Sequence, residues 1–413
     1  VATNRVDPAR RAIYRRRRFT VAAGLVLLLG VGFYLPFTLL APLHTVTAQT
    51  RTWTAPPTSQ PSIAFPAYGA SAVGAIGYGG VLASAGPATP RPIASIAKVI
   101  TALVVLSAKP LGVNEVGPKI VFGPADLQFY ADQVAENGIV EPVTLGESVT
   151  QRTMMAVMLM ASANNYADSL ANWAFGSKDA YVTAARAWLT ARGLAGTTVV
   201  DPTGISPSNA ATVADLVELA RLAVADPVVA TIAATKSVNL PGIGTVTNRN
   251  ELLGIDGVTG IKTGTLDESG ACLLFSATVT IGTTPVTLVG AVVGGPDHSS
   301  VGAAVRTLLA RAVAGFRDVT LTPAGQSFAA YSTDWGDSAD AVAGTSSSLL
   351  LWQNTPITAT VRANPVKLAV AGTPVGEVTF TAGTKTVTVP LVLSRTIDDP
   401  GVVWRLTNPT RLF

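Results

Sequence analysis

The hydrophobic pattern divides the chain into stretches of different period. Residues 19–43, FTVAAGLVLLLGVGFYLPFTLLAPL, carry no charge. As a helix this run reaches roughly 37 Å, enough for a hydrocarbon core of about 30 Å. Residues 44–65 turn to Thr, Pro and Ala and read as a linker. Residues 66–84 mix Gly, Ala and Val and predict one or two strands. From Ser95, SIAKVITALVVLSA is apolar nearly all round and stops at Lys109-Pro110, which predicts a buried central helix. Residues 144–174 predict two helices, 178–192 a third, 211–225 an amphipathic one and 301–316 another. Residues 258–265, 270–281 and 285–294 predict strands, the last two joined by a hairpin at Gly282-Thr283-Thr284. Strands that bracket a helical insertion make an α+β domain rather than an alternating βαβ array. Beyond residue 316 the segments 357–363, 375–381 and 385–394 are alternating or β-branched, which predicts a small all-β domain over 317–413. The divisions expected are therefore a basic tail 1–18, an apolar segment 19–43, a linker 44–65, an α+β domain 66–316 and the β domain.

Composition narrows the classes. The chain has 413 residues, 48% hydrophobic and 13% charged, which suits two or three packed domains and excludes a disordered protein. Net charge is +4, but residues 1–20 hold seven Arg and one Asp, so the remainder sums to −2. The basic balance belongs to the tail and implies no nucleic-acid partner. That tail precedes the apolar segment, so a membrane span here places the N-terminus in the cytoplasm and the rest outside. A cleaved signal peptide is the rival reading, with Val46-Thr47-Ala48 as a weak cleavage site. Arg16-Arg17-Arg18-Phe19 faintly resembles a twin-arginine signal. Cys272 is the one cysteine and His44 and His298 are the two histidines, so an intramolecular disulfide is impossible and a Cys/His zinc site nearly excluded. A nucleophile in this chain needs a base other than histidine.

Three short motifs offer one. Ser95 and Lys98 are spaced i, i+3, so on a helix the hydroxyl and the amine share a face. A lysine acts as base only when neutral, and burial in an apolar helix favours that form. Taken alone, Ser95 also reads as an N-cap with a solvated lysine. Ser162-Ala163-Asn164 lies between two predicted helices, where side chains can point into a cleft; a second Ser-x-Asn occurs at Ser237-Val238-Asn239, and either copy also reads as an ordinary turn. Lys262-Thr263-Gly264-Thr265 opens the run of predicted strands. Its lysine can aim a charge at a carboxylate and its glycine can admit a close backbone approach, although an edge-strand lysine in a turn has the same pattern.

Together and in this order, Ser-x-x-Lys, Ser-x-Asn and Lys-Thr-Gly form the set found in penicillin-binding proteins and class A β-lactamases. The chain resembles the serine D-alanyl-D-alanine carboxypeptidases, the low-molecular-mass penicillin-binding proteins with the β-lactamase-like fold. The likeness extends to residues 91–98, 158–165, Asp201–Ile205 (DPTGI), Thr247–Asn250 (TNRN) and 261–265, and to 390–392 and 404–406 in the β-rich part. The family often has Thr where Ala97 stands, and many members end in an amphipathic membrane helix, for which the final WRLTNPTRLF is too short.

The resemblance implies an antiparallel sheet flanked by helices, an all-helical subdomain, a C-terminal β domain, and no metal or organic cofactor. It implies that Ser95 attacks the carbonyl between two D-alanines of a peptidoglycan stem peptide, Lys98 takes its proton, Ser162 relays a proton to the leaving group and Asn164 holds the peptide amide. Lys262, Thr263 and Gly264 fall in the carboxylate-recognition segment, and the backbone N–H groups of Ser95 and Thr265 form an oxyanion hole. Arg249 adds charge or is simply structural. β-Lactams become covalent inhibitors, and residues 19–43 tie the enzyme to the bacterial plasma membrane, or guide secretion if cleaved. Three alternatives remain: a DD-endopeptidase on cross-linked peptidoglycan, a class A-like β-lactamase, for which no Glu-x-x-Leu-Asn segment is present, and a non-catalytic cell-wall binder.

Overall fold

The computed structural model describes residues 8–57, 63–353 and 355–412; the first seven residues of the expected basic tail and residues 58–62 of the expected linker lie outside them. The fold is α+β. A five-stranded antiparallel sheet runs in the order Val258–Leu266, Gly270–Ile281, Thr284–Gly295, Ala70–Ala75, Ala83–Ala85. Its middle strands are apolar over 271–275 and 288–293, where both faces are covered. Cys272 and Leu274 point to one core with Ala97–Ala108 and Val213–Ala225. Leu273 and Phe275, one position on, point to the other core with Val301, Val305 and Leu308 of the helix His298–Ala314. The period of two along each strand thus feeds two hydrophobic layers.

The helical insertion runs from Ala97 to Ala234, interrupted by short strands. The stretch 144–162 contains a strand Ser148–Thr150, a short helix Gln151–Ala156 and a π-helical turn Val157–Ala161 rather than one helix. Thr150 caps it, its hydroxyl accepting from Thr153 N at 3.2 Å. Asn164–Phe175 follows, and its C-cap Gly176 takes φ 83°, the left-handed conformation suited to glycine.

A second, six-stranded sheet contains Ser327–Ser332, Ser338–Ala343, Lys385–Leu393, Pro374–Ala382 and Ile357–Ala363, with Gln49–Thr50 as its other edge. The β-rich part is not wholly β, since it ends in a helix Gly401–Thr407 and a 3-10 turn.

The N-terminal helix spans Pro8–Leu39 and is long and apolar enough to cross a membrane. Its end is gripped by the C-terminal helix. Arg405 donates to Ala41 O at 2.8 Å and pairs with Asp399 at 2.6 Å, while Tyr34 OH donates to Leu406 O at 2.6 Å. The stretch after it does not behave as a free spacer. Val46 exchanges two backbone hydrogen bonds with Val366, and Trp53 packs edge-on against Phe380 with its Nε1 donating to Leu321 O. Composition suggested a linker because Thr and Pro dominate it, but the backbone of Gln49–Thr50 pairs with an open sheet edge and Trp53 packs beside it.

Candidate active site

The three motifs converge at one end of the edge strand Val258–Leu266. Ser95 sits in a 3-10 turn, Ala94–Ile96, that leads into the helix Ala97–Ala108. It is half-buried, whereas Lys98, one turn on, is fully buried. The preceding residue, Ala94, has φ 47°, a conformation that L residues adopt at a cost of about 1–3 kcal/mol. Ser162 has φ 67° at the end of the π-helical turn. Two of the three motifs therefore place a side chain with a left-handed backbone residue at or next to it.

Lys98 Nζ lies 2.9 Å from Ser95 Oγ, 2.6 Å from Asn164 Oδ1 and 2.7 Å from Thr203 O. The amide oxygen and the carbonyl can only accept. A neutral lysine has two N–H groups for those two acceptors and one lone pair left for the Ser95 O–H. Burial pulls Lys98 down to about 7, against the pull of Asp201 and Asp168, with Arg249 adding to the lowering. The arrangement can hold a serine hydroxyl against a neutral amine near neutral pH.

Lys262 Nζ donates to Ser162 Oγ at 3.0 Å and to Thr263 O at 3.0 Å. It is buried, and burial first, then Lys98 and Arg249, hold it well below the usual lysine range. The Arg249 guanidinium acts on both lysines and favours their neutral forms. Arg249 has a structural contact as well, its Nε donating to Ala161 O at 2.8 Å. Ser237 and Asn239, the other Ser-x-Asn copy, lie exposed on a hairpin with Gly244–Thr247.

A Cβ at Gly264 would lie 3.0 Å from Ser95 N, 3.1 Å from Ala94 Cβ and 3.2 Å from Ile93 O. The nucleophile turn packs against this glycine. Gly204 does the same from the opposite side: it has φ 82°, and a Cβ would lie 2.0 Å from Ala94 O. Thr265 is exposed, with its hydroxyl 2.7 Å from His298 Nε2. Burial and Lys262 lower the His298 pKa, while Glu251 and Asp297 raise it.

Several partners had no role assigned from the sequence, although Asp201 and Thr203 lie in the Asp201–Ile205 segment noted there. Thr203 offers Lys98 its carbonyl. Asp201 organises that loop by accepting from Thr203 N, Thr203 Oγ1, Gly204 N, Ser206 N and Asn209 Nδ2. Gln133 and Asp168 sit behind Asn164. Asp168 had a sequence signal, being i+4 from Asn164 on the same helix.

Comparisons with known proteins agree with this geometry. The D-alanyl-D-alanine carboxypeptidase family matches residues 69–294. A D-alanyl-D-alanine endopeptidase of Pseudomonas aeruginosa is 38% identical over 141 residues, 34% of this chain and 42% of that protein. One from Escherichia coli is 30% identical over 254 residues, 59% of this chain and 76% of that protein. The D-alanyl-D-alanine carboxypeptidase DacB2 of Mycobacterium tuberculosis is 34% identical over 193 residues, 45% of this chain and 62% of that protein. The chain thus spans under half of the first relative and under two thirds of the third. Among solved structures, the D-alanyl-D-alanine carboxypeptidase DacD of Francisella tularensis superposes with TM-score 0.58 at 18% identity, covering 84% of this chain and 98% of that one. Penicillin binding protein 5 of Haemophilus influenzae gives 0.56 at 18% identity, covering 84% and 100%. With more than half its length matched by the family and the family's fold reproduced around the motifs, this chain belongs to the D-alanyl-D-alanine carboxypeptidase family.

Proposed function

We propose that the chain is a serine D-Ala-D-Ala carboxypeptidase acting on peptidoglycan stem peptides. The observation that carries this is the buried Lys98, with two obligate acceptors and a lone pair left for Ser95. Ser95 Oγ attacks the carbonyl carbon of the penultimate D-alanine and its proton passes to Lys98. The C–N bond to the last D-alanine breaks, and that amine leaves with a proton relayed through Ser162 from the lysine pair. Water then hydrolyses the Ser95 ester and releases the shortened peptide. The backbone N–H groups of Ser95 and Thr265 stabilise the oxyanion. Asn164 holds the peptide amide, and Lys262 and Thr263 receive the terminal carboxylate. Gly264 serves by letting the edge strand approach the Ser95 turn.

β-Lactams acylate Ser95 in the same way and are released slowly. Glu218, one of two glutamates near the region where a β-lactamase keeps its water-activating base, is paired with Arg221 at 3.0 Å. A second reading, cleavage of cross-links, is favoured by the names of the Pseudomonas and Escherichia relatives. We further propose that residues 66–316 form the catalytic unit, that 317–413 form a β unit carrying the docked segment 44–57, and that Pro8–Leu39 stays as a single-pass anchor with the catalytic unit outside. Support for an uncleaved anchor comes from the bridge between Val46 and Val366 and from the pairing of Gln49–Thr50 with the second sheet, on either side of the weak cleavage site.

The test is mass spectrometry of the chain with penicillin, followed by incubation with a D-Ala-D-Ala pentapeptide and a cross-linked muropeptide. A persistent penicilloyl adduct lost in Ser95→Ala, with D-alanine released from the pentapeptide, is the expected result. Rapid penicillin turnover without D-alanine release overturns it, and cleavage of the cross-linked substrate alone selects the endopeptidase.

A further inference from the structure

Behind Asn164 the structure builds a chain of polar groups that the proposed reaction does not use. Asn164 Nδ2 donates to Gln133 Oε1 at 2.7 Å, and Gln133 Nε2 donates to Asp168 Oδ2 at 2.8 Å. Gln133 comes from the helix Pro124–Ala135 and is buried; Asp168 comes from the same helix as Asn164. At the other end Asn164 Oδ1 accepts from Lys98. We propose that Asp168 and Gln133 are positioning residues that fix the orientation of the Asn164 amide and so leave the Lys98 lone pair to Ser95. The inference rests on the acyl-enzyme reading above.

The argument is one of donor and acceptor direction. An ionised carboxylate can only accept, so it turns the Gln133 amide with Nε2 towards it and Oε1 away. Oε1 in turn draws Asn164 Nδ2, which leaves Oδ1 facing Lys98. Every link then pairs a donor with an acceptor. Protonate Asp168 and the chain can reverse. The acid O–H donates to Gln133 Oε1, Gln133 Nε2 donates to Asn164 Oδ1, and Asn164 Nδ2 faces the lysine nitrogen. In that state the Lys98 lone pair accepts from Asn164 and is lost to Ser95. The same fixed orientation keeps the second N–H of Asn164 Nδ2 available to a substrate carbonyl.

Asp168 is able to make this choice near neutral pH. Gln133 and Asp168 line a cavity of about 540 Å³ that also holds Asp132, Glu136 and Lys178. Burial pushes the Asp168 carboxyl up to about 7; Lys178, the Gln133 bond and Lys98 oppose this and Asp201 adds to it. The charged groups acting on Lys98 are Asp201, Asp168 and Arg249, with Lys262 beside them.

The test is the second-order rate of Ser95 acylation by a fluorescent penicillin, measured from acid to alkaline pH on the full chain in detergent. Gln133→Leu removes the link and is expected to lower the plateau rate about tenfold, the worth of one buried hydrogen bond between amides. Asp168→Asn offers Gln133 either an acceptor oxygen or a donor NH₂, so it leaves the direction of the chain unset at every pH. It is expected to lower the plateau rate about threefold, as the reversed chain becomes populated where the carboxylate had opposed it. Its acid limb is expected at lower pH, because Lys98 loses an anion that favours its charged form. A merely structural role would not lower the plateau in an Asp168→Asn variant that melts with the wild type. Should Gln133→Leu fail to melt cooperatively, Asp168→Asn decides alone. A labelled wild type with folded Asp168→Asn at an unchanged plateau rate, or with folded Gln133→Leu acylating at the wild-type rate, overturns this inference alone. A wild type that penicillin does not label overturns the acyl-enzyme reading and this inference with it.

Discussion

Asp201→Asn separates the role of the Asp201–Ser206 loop from that of the motifs it supports. The Asp201 carboxylate is buried and accepts five hydrogen bonds. Oδ1 takes Thr203 N at 2.8 Å, Thr203 Oγ1 at 2.7 Å and Gly204 N at 2.7 Å. Oδ2 takes Ser206 N at 3.1 Å and Asn209 Nδ2 at 2.6 Å. An asparagine keeps one oxygen, so its NH₂ must face at least two of these donors, Ser206 N and Asn209 Nδ2, and three in the flipped orientation. Two hydrogen bonds to a charged group are lost, at about 1.5–3 kcal/mol each. The expected destabilisation is therefore about 3–6 kcal/mol, a large part of the roughly 5–15 kcal/mol that holds a domain folded. At about 2–4 °C per kcal/mol the melting temperature should fall by about 6–24 °C. Acylation should slow as well, because Thr203 O is an acceptor for Lys98 and Gly204 backs the Ala94 turn.

The same variant carries a pH signature. Burial alone would raise the Asp201 carboxyl, but the Thr203 hydroxyl and the Gly204, Thr203 and Ser206 N–H groups hold it below the usual carboxylate range. A folded pKa below the unfolded one contributes stability that is complete above about pH 4 and lost as pH falls through the folded value. The gap in melting temperature between wild type and Asp201→Asn should thus close as the pH drops below about 4. Thermal melts by circular dichroism across this range, with penicillin labelling at neutral pH, make the measurement. A variant that melts with the wild type and labels at the wild-type rate would refute the reasoning.

Acylation of the wild type should rise with pH through about 7, where Lys98 loses its proton, and Lys98→Arg should be nearly inactive because a guanidinium stays charged; near-normal labelling of Lys98→Arg would remove it as base. Gly264→Ala should slow acylation by about 10²-fold with little change in melting temperature, because the added Cβ, 3.0 Å from Ser95 N, shifts the edge strand from the nucleophile turn; stopped-flow labelling at the wild-type rate would disprove it. Lys262→Ala should weaken peptides with a free terminal carboxylate more than amidated ones, and equal losses in kcat/KM would reject carboxylate recognition there. Protease added to intact spheroplasts should digest the large domain, and its protection would reverse the proposed topology.

The sequence by itself determined the elements whose cause is local. Most of the uncharged run 19–43 lies within a helix of membrane-spanning length, although the helix begins at Pro8, because helical hydrogen bonding is indifferent to where charge stops, and ends at Leu39, before the run does. The strands predicted over 258–294 form as Val258–Leu266, Gly270–Ile281 and Thr284–Gly295, since β-branched and apolar runs between turn residues leave few other ways to bury them. The i, i+3 spacing of Ser95 and Lys98 is likewise a local fact of helix geometry, and the structure puts the two side chains 2.9 Å apart. What lies around them was decided only in three dimensions. Gln133 reaches Asn164 from 31 residues away, the Thr203 carbonyl reaches Lys98 from 105, and His298 meets Thr265 across 33. None of these distances has a period. That Gly264 seats the Ser95 turn was not legible in the sequence, because only the packing of a strand against a turn reveals which atoms a Cβ would strike. Residues 44–57 looked like a spacer because composition reports solubility and stiffness, while an open sheet edge elsewhere in the chain decides whether such a strand has somewhere to pair.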